Sequence, residues 1–325
     1  MSPPLTYVLP IRTRDGEDGS SDLDRYLAWL SERVDLVIVD GSDAETFERH
    51  RRGWSSFGRH VRPDPRMRCE NGKVRGVLTG VRLARNERLV VADDDVRYDD
   101  ATLRRMSSLL GRADLVRPQN HFVPTPWHAR WDTARTLVNR ALGQDFPGTL
   151  GVRRSFLRSI GGYDGDVLFE NLELIRTVEA GGGRILDAPW LYVARRPPTV
   201  RRFLEQRPRQ AYDDWAQPAR FAAFLSVVPA LAVAAWRRPA TIPIAAGAAI
   251  GIAELGRRRD GGAEVFEPSS SLFSPLWILE RGLLSWVALA RGTLGRGSPY
   301  AGAVIRRAAS SRRELADRFR SRLAA

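Results

Sequence analysis

Three consecutive aspartates, Asp93, Asp94 and Asp95, follow the apolar run Leu89-Val90-Val91-Ala92. Carboxylates clustered at a strand end supply hard oxygen ligands for Mg²⁺ or Mn²⁺, above all when a diphosphate completes the coordination shell. The same residue type also favours a helix N-terminus, and Tyr98 to Leu110 has a helical pattern, so capping is the competing explanation. A second acidic strand end is Asp40, after Val37-Ile38-Val39. Lys73 is the chain's only lysine among many arginines, which makes it a candidate for neutralising phosphate. Glu170 and Glu173 open a helical stretch, with Asp164 and Asp166 just upstream, and carboxylates there serve either as a general base or as partners of a helix dipole. His121 and His128 lack a partner set for a metal, and Trp127 and Trp131 stand four apart as a packed helix face requires.

These residues need elements to carry them. Leu5 to Pro10 reads as a strand, Asp22 to Arg33 as a helix with Leu23, Tyr26, Leu27 and Leu30 on one face, and Val34 to Val39 as a second strand. A helix over Gly72 to Ala84 and a strand over Arg88 to Ala92 repeat the unit, and a further strand is expected at Leu115 to Pro118. The alternation predicts a mostly parallel sheet flanked by helices, with Asp40 and Asp93 to Asp95 along the rim at the strands' carboxyl ends. A turn at Gly161-Gly162 precedes a helix from Glu170 to the glycines at 181–183.

The 325 residues suffice for a large α/β domain with an appendage. A formal net charge of +13 suits nucleic acid, an anionic membrane or phosphorylated substrates, and composition alone does not choose. The single cysteine, Cys69, excludes an internal disulfide and a cysteine-cluster metal site. No basic segment leading into a long apolar core opens the chain, so the N-terminal part is expected to stay in the cytosol.

Composition changes after residue 218, which sets expected domains of 1–218 and 219–325. Phe221 to Trp236 and Ala240 to Ala253 are apolar runs bracketed by arginines. Sixteen helical residues span about 24 Å against a hydrocarbon core of about 30 Å, so a re-entrant or thin-spanning hairpin is expected. Leu272 to Ala290 carries Glu280 and Arg281 at its centre and is expected at the membrane interface. The tail from Arg306 to Leu323 reads as an arginine-rich amphipathic helix with Leu315, Phe319 and Leu323 on one face, suited to anionic headgroups.

In this order the motifs resemble the family-two glycosyltransferases of the GT-A fold, membrane-associated bacterial type, over roughly residues 5 to 215. The strand running into Pro10 and the loop Ile11 to Arg14 match the family's nucleotide-contacting start, which implies donor contacts for Pro10 and Arg12. Asp40-Gly41-Ser42-Asp43 matches its acidic turn, and the resemblance gives Asp40 a contact to the base. Asn71-Gly72-Lys73 stands where the family begins the helix before its metal-binding strand. Asp93 and Asp95 match the Asp-x-Asp metal positions, with Asp94 in the variable one. The family's Glu-Asp pair, whose aspartate is the base, is matched by Glu170-Asn171; asparagine cannot take the proton, which leaves Glu170 as its replacement. The Gln-x-x-Arg-Trp motif, on an interfacial helix near 199–215, is matched by Gln206 and Arg209 but loses its tryptophan at Gln210.

The resemblance implies a metal-dependent, inverting transfer from a UDP- or GDP-sugar, with Arg209 facing the leaving diphosphate. It also implies a lipid or glycolipid acceptor at the cytoplasmic face of the cell membrane, and no nucleic-acid partner. A phosphate acceptor, already ionised, would need no base. Two other classes compete: a nucleotidyltransferase, whose glycine-rich arginine loop is not found after the first strand, and a GT-A-fold binding protein that has lost turnover.

Overall fold

The computed structural model describes residues 4–13, 21–143, 145–300 and 302–324. In chain order the first elements are β1 (Leu5–Ile11), α1 (Ser21–Ser31), β2 (Asp35–Asp40), α2 (Ala44–Trp54), β3 (Arg59–Val61), α3 (Gly72–Leu83), β4 (Arg88–Ala92), β5 (Val96–Arg97), α4 (Asp100–Leu109) and β6 (Leu115–Phe122). After α5 (Trp127–Leu142) come β7 (Thr149–Arg153), α6 (Arg154–Ser159), α7 (Glu170–Ala180), β8 (Ile185–Arg195) and α8 (Val200–Tyr212). The rest is α9 (Pro218–Arg237), α10 (Thr241–Arg258), α11 (Ser269–Leu272), α12 (Ser274–Thr293), β9 (Ser298–Tyr300), β10 (Ala303–Ile305) and α13 (Arg312–Ala324).

The chain forms two compact units: residues 1–120, 147–193 and 310–325 make the first, and residues 121–146 and 194–309 the second. This division departs from a boundary at 218. α5 and α8 belong with the later helices, because their buried faces pack there, and the tail belongs with the first unit.

In the first unit, eight strands among the described residues form one sheet in the order β3-β2-β1-β4-β7-β6-β8-β5. β1 pairs parallel with β2 and β4, β2 parallel with β3, and β7 antiparallel with β4 and β6. β1 is buried along its whole length, as its largely apolar sequence requires of a strand covered on both faces. Pro10 fits this central strand because β1 outruns β4, whose pairing stops at Val8, so no hydrogen bond on that side is lost.

α3 lies unusually near β1. A Cβ on Gly80 would collide with Val8 Cγ1, and one on Gly76 would stand 2.9 Å from Pro10 Cβ. The two glycines thus let the helix settle on the sheet and bring its N-terminus to the carboxyl edge. The expected turn is present, with Gly161 and Gly162 at φ of 80° and 78°, a backbone region that glycine enters without steric cost. α13 docks on α7 of the same unit, with Leu315 fully buried. Leu315 and Phe319 of the tail's apolar face therefore meet protein, a correction to the expected headgroup-facing helix.

The second unit is helical, apart from the β9–β10 hairpin. α10 packs on α5 so closely that a Cβ on Gly256 would meet Leu137 O, and α12 packs on α8 and α9. The central charges of α12 are both paired. Glu280 accepts from Arg207 at 2.7 Å, and Arg281 pairs with Asp214 at 3.2 Å, both within this unit's interior. α9 is longer than its apolar run: 20 residues, long and apolar enough to cross a membrane, with 6% of its apolar window buried.

Candidate active site

Three first-unit elements deliver charged side chains to one spot. β4 ends at Ala92, and Asp93 is pinned by its N–H to Gly148 O (2.9 Å) while its carbonyl closes a tight turn onto Val96 N–H (3.1 Å). Asp94 is held in the same turn, its carbonyl accepting from Arg97 at 2.7 Å. Arg97 is itself anchored on Asp22 at 3.0 Å and lies over the Tyr26 ring.

From α3, Asn71 caps the helix by accepting from Lys73 N–H at 3.0 Å, and its amide donates to Val167 O at 2.9 Å. The cap ties the start of α3 to the segment before α7. Lys73 Nζ then stands 2.5 Å from Asp93 Oδ1 and 2.6 Å from Glu170 Oε1, with its side chain 15% exposed. The structure therefore brings together Lys73, Asp93 and Glu170, which lie far apart in the chain. Asp94 and Asp95 share the turn and are half-buried.

Capping is no longer an explanation for the triple aspartate. α4 is capped by Asp99, which accepts from Thr102 N–H while the Thr102 hydroxyl returns a bond to Asp99 N–H. Asp93, Asp94 and Asp95 lie on the turn before it and are not the cap of α4. Around α7, Glu173 is fully buried and accepts from Ser310 N–H at 2.6 Å, which makes it a tie to the tail. Asn171 donates its amide to Pro147 O at 3.0 Å, so it positions the Pro147–Gly148 segment that holds Asp93. Asp164 is engaged by Arg318 and by Asp166 N–H.

The donor set fits a divalent cation. Asp93 and Asp95 are hard oxygen donors two residues apart on a hydrogen-bonded turn, and a cationic ammonium already stands against Asp93. Mg²⁺ and Mn²⁺ commonly take one or two carboxylates and complete their shell with phosphate oxygens and water.

Asp40, for which the resemblance implies a contact to the base, is enclosed by protein. Its carboxylate is fully buried; Oδ2 meets His50 Nδ1 at 2.7 Å and His60 Nε2 at 3.1 Å, and Oδ1 accepts from Ser42 N–H at 2.9 Å. Burial alone would raise its pKa, but the hydrogen bonds from the two histidines and Ser42 prevail and hold it well below the usual carboxylate range. Among the described residues this is the one place where three metal-capable side chains converge, yet contacts of 2.7 and 3.1 Å are those of hydrogen bonds. The histidines are packed in turn, His50 on Trp54 and His60 on Phe47. Their part was not read from the sequence. The available signal was their placement on the helix and strand that follow Asp40.

Pro10 is buried within β1, Arg12 is exposed just past it, and Arg14 lies outside the described residues. Gln206 and Arg209 lie on α8 of the second unit, where Arg209 stands over the Tyr300 ring. Arg207, between them, is the buried member, paired with Asp132 at 2.7 Å. His128 Nε2 donates to Pro198 O at 2.8 Å and its ring packs with Trp127 and Phe203, the latter also meeting Trp131, in keeping with a packing role.

No family model matches the chain, and no curated protein matches it. Solved structures do. A mannosyltransferase from Pyrobaculum calidifontis, solved in complex with GDP-Man and Mn²⁺, is similar with a TM-score of 0.53 and 17% identity over 88% of each chain. Glucosyl-3-phosphoglycerate synthase from Mycobacterium tuberculosis, solved with Mn²⁺, UDP and phosphoglyceric acid, is similar with a TM-score of 0.43 and 17% identity over 64% of this chain and 76% of that one. With its mostly parallel sheet, flanking helices and acidic turn after the fourth strand, the chain has the GT-A fold.

Proposed function

We propose that this chain is a metal-dependent glycosyltransferase that takes a hexose from a nucleoside-diphosphate sugar. The observation that carries the reading is the convergence of Asp93, Lys73 and Glu170 at the carboxyl edge of the sheet, beside a triple aspartate that is not the cap of α4. The mannosyltransferase of the same fold was solved with GDP-Man and Mn²⁺, which supports a sugar nucleotide and a divalent ion here. Asp93 and Asp95 would hold Mg²⁺ or Mn²⁺, and the ion would offset the charge that develops on the departing diphosphate. Lys73 adds positive charge on the same side. Glu170 is the base for a hydroxyl acceptor, since the Asn171 amide has no proton-accepting nitrogen and is bonded to Pro147. Displacement by that hydroxyl at the anomeric carbon inverts its configuration.

The acceptor in this reading is a lipid-linked or glycolipid group at the cytoplasmic membrane face. Support comes from α9, an apolar helix with almost no buried surface, and from Trp236 and Ile244, 79% and 70% exposed on either side of the Arg237-Arg238 turn. A binding protein without turnover is the second reading, and Asn171 in place of a base favours it.

Purified protein in detergent with Mn²⁺ or Mg²⁺, screened against UDP-, GDP- and TDP-sugars with lipid extracts and water-soluble acceptors, separates these readings. Nucleotide release is expected with one donor, to be lost in Asp95→Ala. Glu170→Gln should keep donor binding and lower transfer roughly 10²- to 10⁴-fold, the usual contribution of a general base. Donor binding with no release under any acceptor would favour the second reading; no donor binding at all would sink both.

A further inference from the structure

Lys73 is the cation already in the site. Its ammonium bridges Asp93 and Glu170 at 2.5 and 2.6 Å, and those two side chains are only 20% and 9% exposed. Partly desolvated pairs of this kind interact more strongly than surface pairs, so a second cation cannot reach Asp93 without meeting the charge of the first. The backbone of Lys73 cannot withdraw, because its N–H is fixed on Asn71 and Asn71 on Val167. The four-carbon stem can still turn.

We propose that Lys73 is an internal counter-ion that competes with the divalent cation for Asp93 until the donor's diphosphate draws the ammonium onto its own oxygens. This rests on the donor-site reading above. Two consequences follow from one movement. Metal and nucleotide bind with positive coupling, because each removes the other's competitor. Glu170 loses its ammonium partner at the same moment, so it is available to an acceptor proton only when the donor is in place.

The test measures Mn²⁺ binding by the full chain in detergent, from the electron paramagnetic resonance of free Mn²⁺, with and without UDP or GDP. Without nucleotide, Lys73→Met should bind Mn²⁺ roughly tenfold more tightly than the wild type, within the usual range of coupling between sites. Lys73→Arg, which keeps the charge, should not tighten it. Nucleotide should raise the Mn²⁺ affinity of the wild type by a larger factor than that of Lys73→Met. If Lys73→Met does not fold, as judged by circular dichroism, Lys73→Gln is read in the same way. Equal or weaker Mn²⁺ binding in the neutral variant overturns the proposal even if nucleotides bind. Tighter Mn²⁺ binding in the variant, with no effect of any nucleotide on either protein, supports the competition for Asp93 and overturns the donor reading instead.

Discussion

The residue that the acidic turn of β2 was expected to offer to a base is committed to the interior. Asp40 accepts from two histidines and a backbone N–H, and a charged acceptor of this kind contributes about 1.5 to 3 kcal/mol per bond when a buried donor would otherwise be stranded. Asp40→Asn should lower the unfolding free energy by about 2 to 3 kcal/mol near neutral pH, measured by urea denaturation. Because its folded pKa is depressed, the contribution is full above the unfolded carboxylate value of about 3.9 and is lost as pH falls below it. The gap between wild type and variant should therefore narrow below about pH 4; a gap that stays constant with pH would show that Asp40 carries no such linkage. Asp93, Lys73 and Glu170 were legible in the sequence because each stands at the end of a strand or the start of a helix. His50 and His60 were not, since β3 is a three-residue, half-exposed strand with no apolar run to announce it. The buried role of Glu173 depends on Ser310, a distance along the chain that no local pattern encodes.

At the scale of elements, α3 is the lever that sets the site. Gly76 and Gly80 let it approach β1, and the Asn71 cap then fixes where Lys73 leaves the helix. Gly80→Ala forces a methyl against Val8, so the helix must lift; overpacking of this sort costs about 1 to 3 kcal/mol. The expected result is a lower denaturation midpoint together with altered Mn²⁺ affinity, because Lys73 moves with the helix. An unchanged midpoint would show that α3 is not held by that contact. The first-unit elements around the site were readable because apolar periodicity and cap residues mark them, to within one or two residues at most ends. The destinations of α12 and α13 were not readable. An apolar stripe has the same spacing whether it covers lipid or protein, and only the partners show that Arg281 meets Asp214 and that Leu315 is buried on the first unit.

At the scale of the whole molecule, neither unit is a continuous stretch of chain. The first is assembled from three segments and the second from two. A fragment of residues 1–218, the boundary that composition suggests, would keep α5 and α8 without α10 and α12 and would lose the tail that bonds Glu173 and Arg176. Arg207 would lose Glu280 and expose a half-paired buried charge. The fragment should aggregate or melt well below the full chain in a thermal scan; a soluble fragment with an unchanged melting temperature would contradict this. Composition could mark the change at residue 218 because it is local, whereas the interleaving of segments is a matter of topology. The single lysine has one more use at this scale. Apart from the α-amine, the molecule has one site for amine chemistry, so reductive methylation with ¹³C-formaldehyde would place a single side-chain resonance between Asp93 and Glu170, a spectroscopic reporter that no surface lysine can obscure.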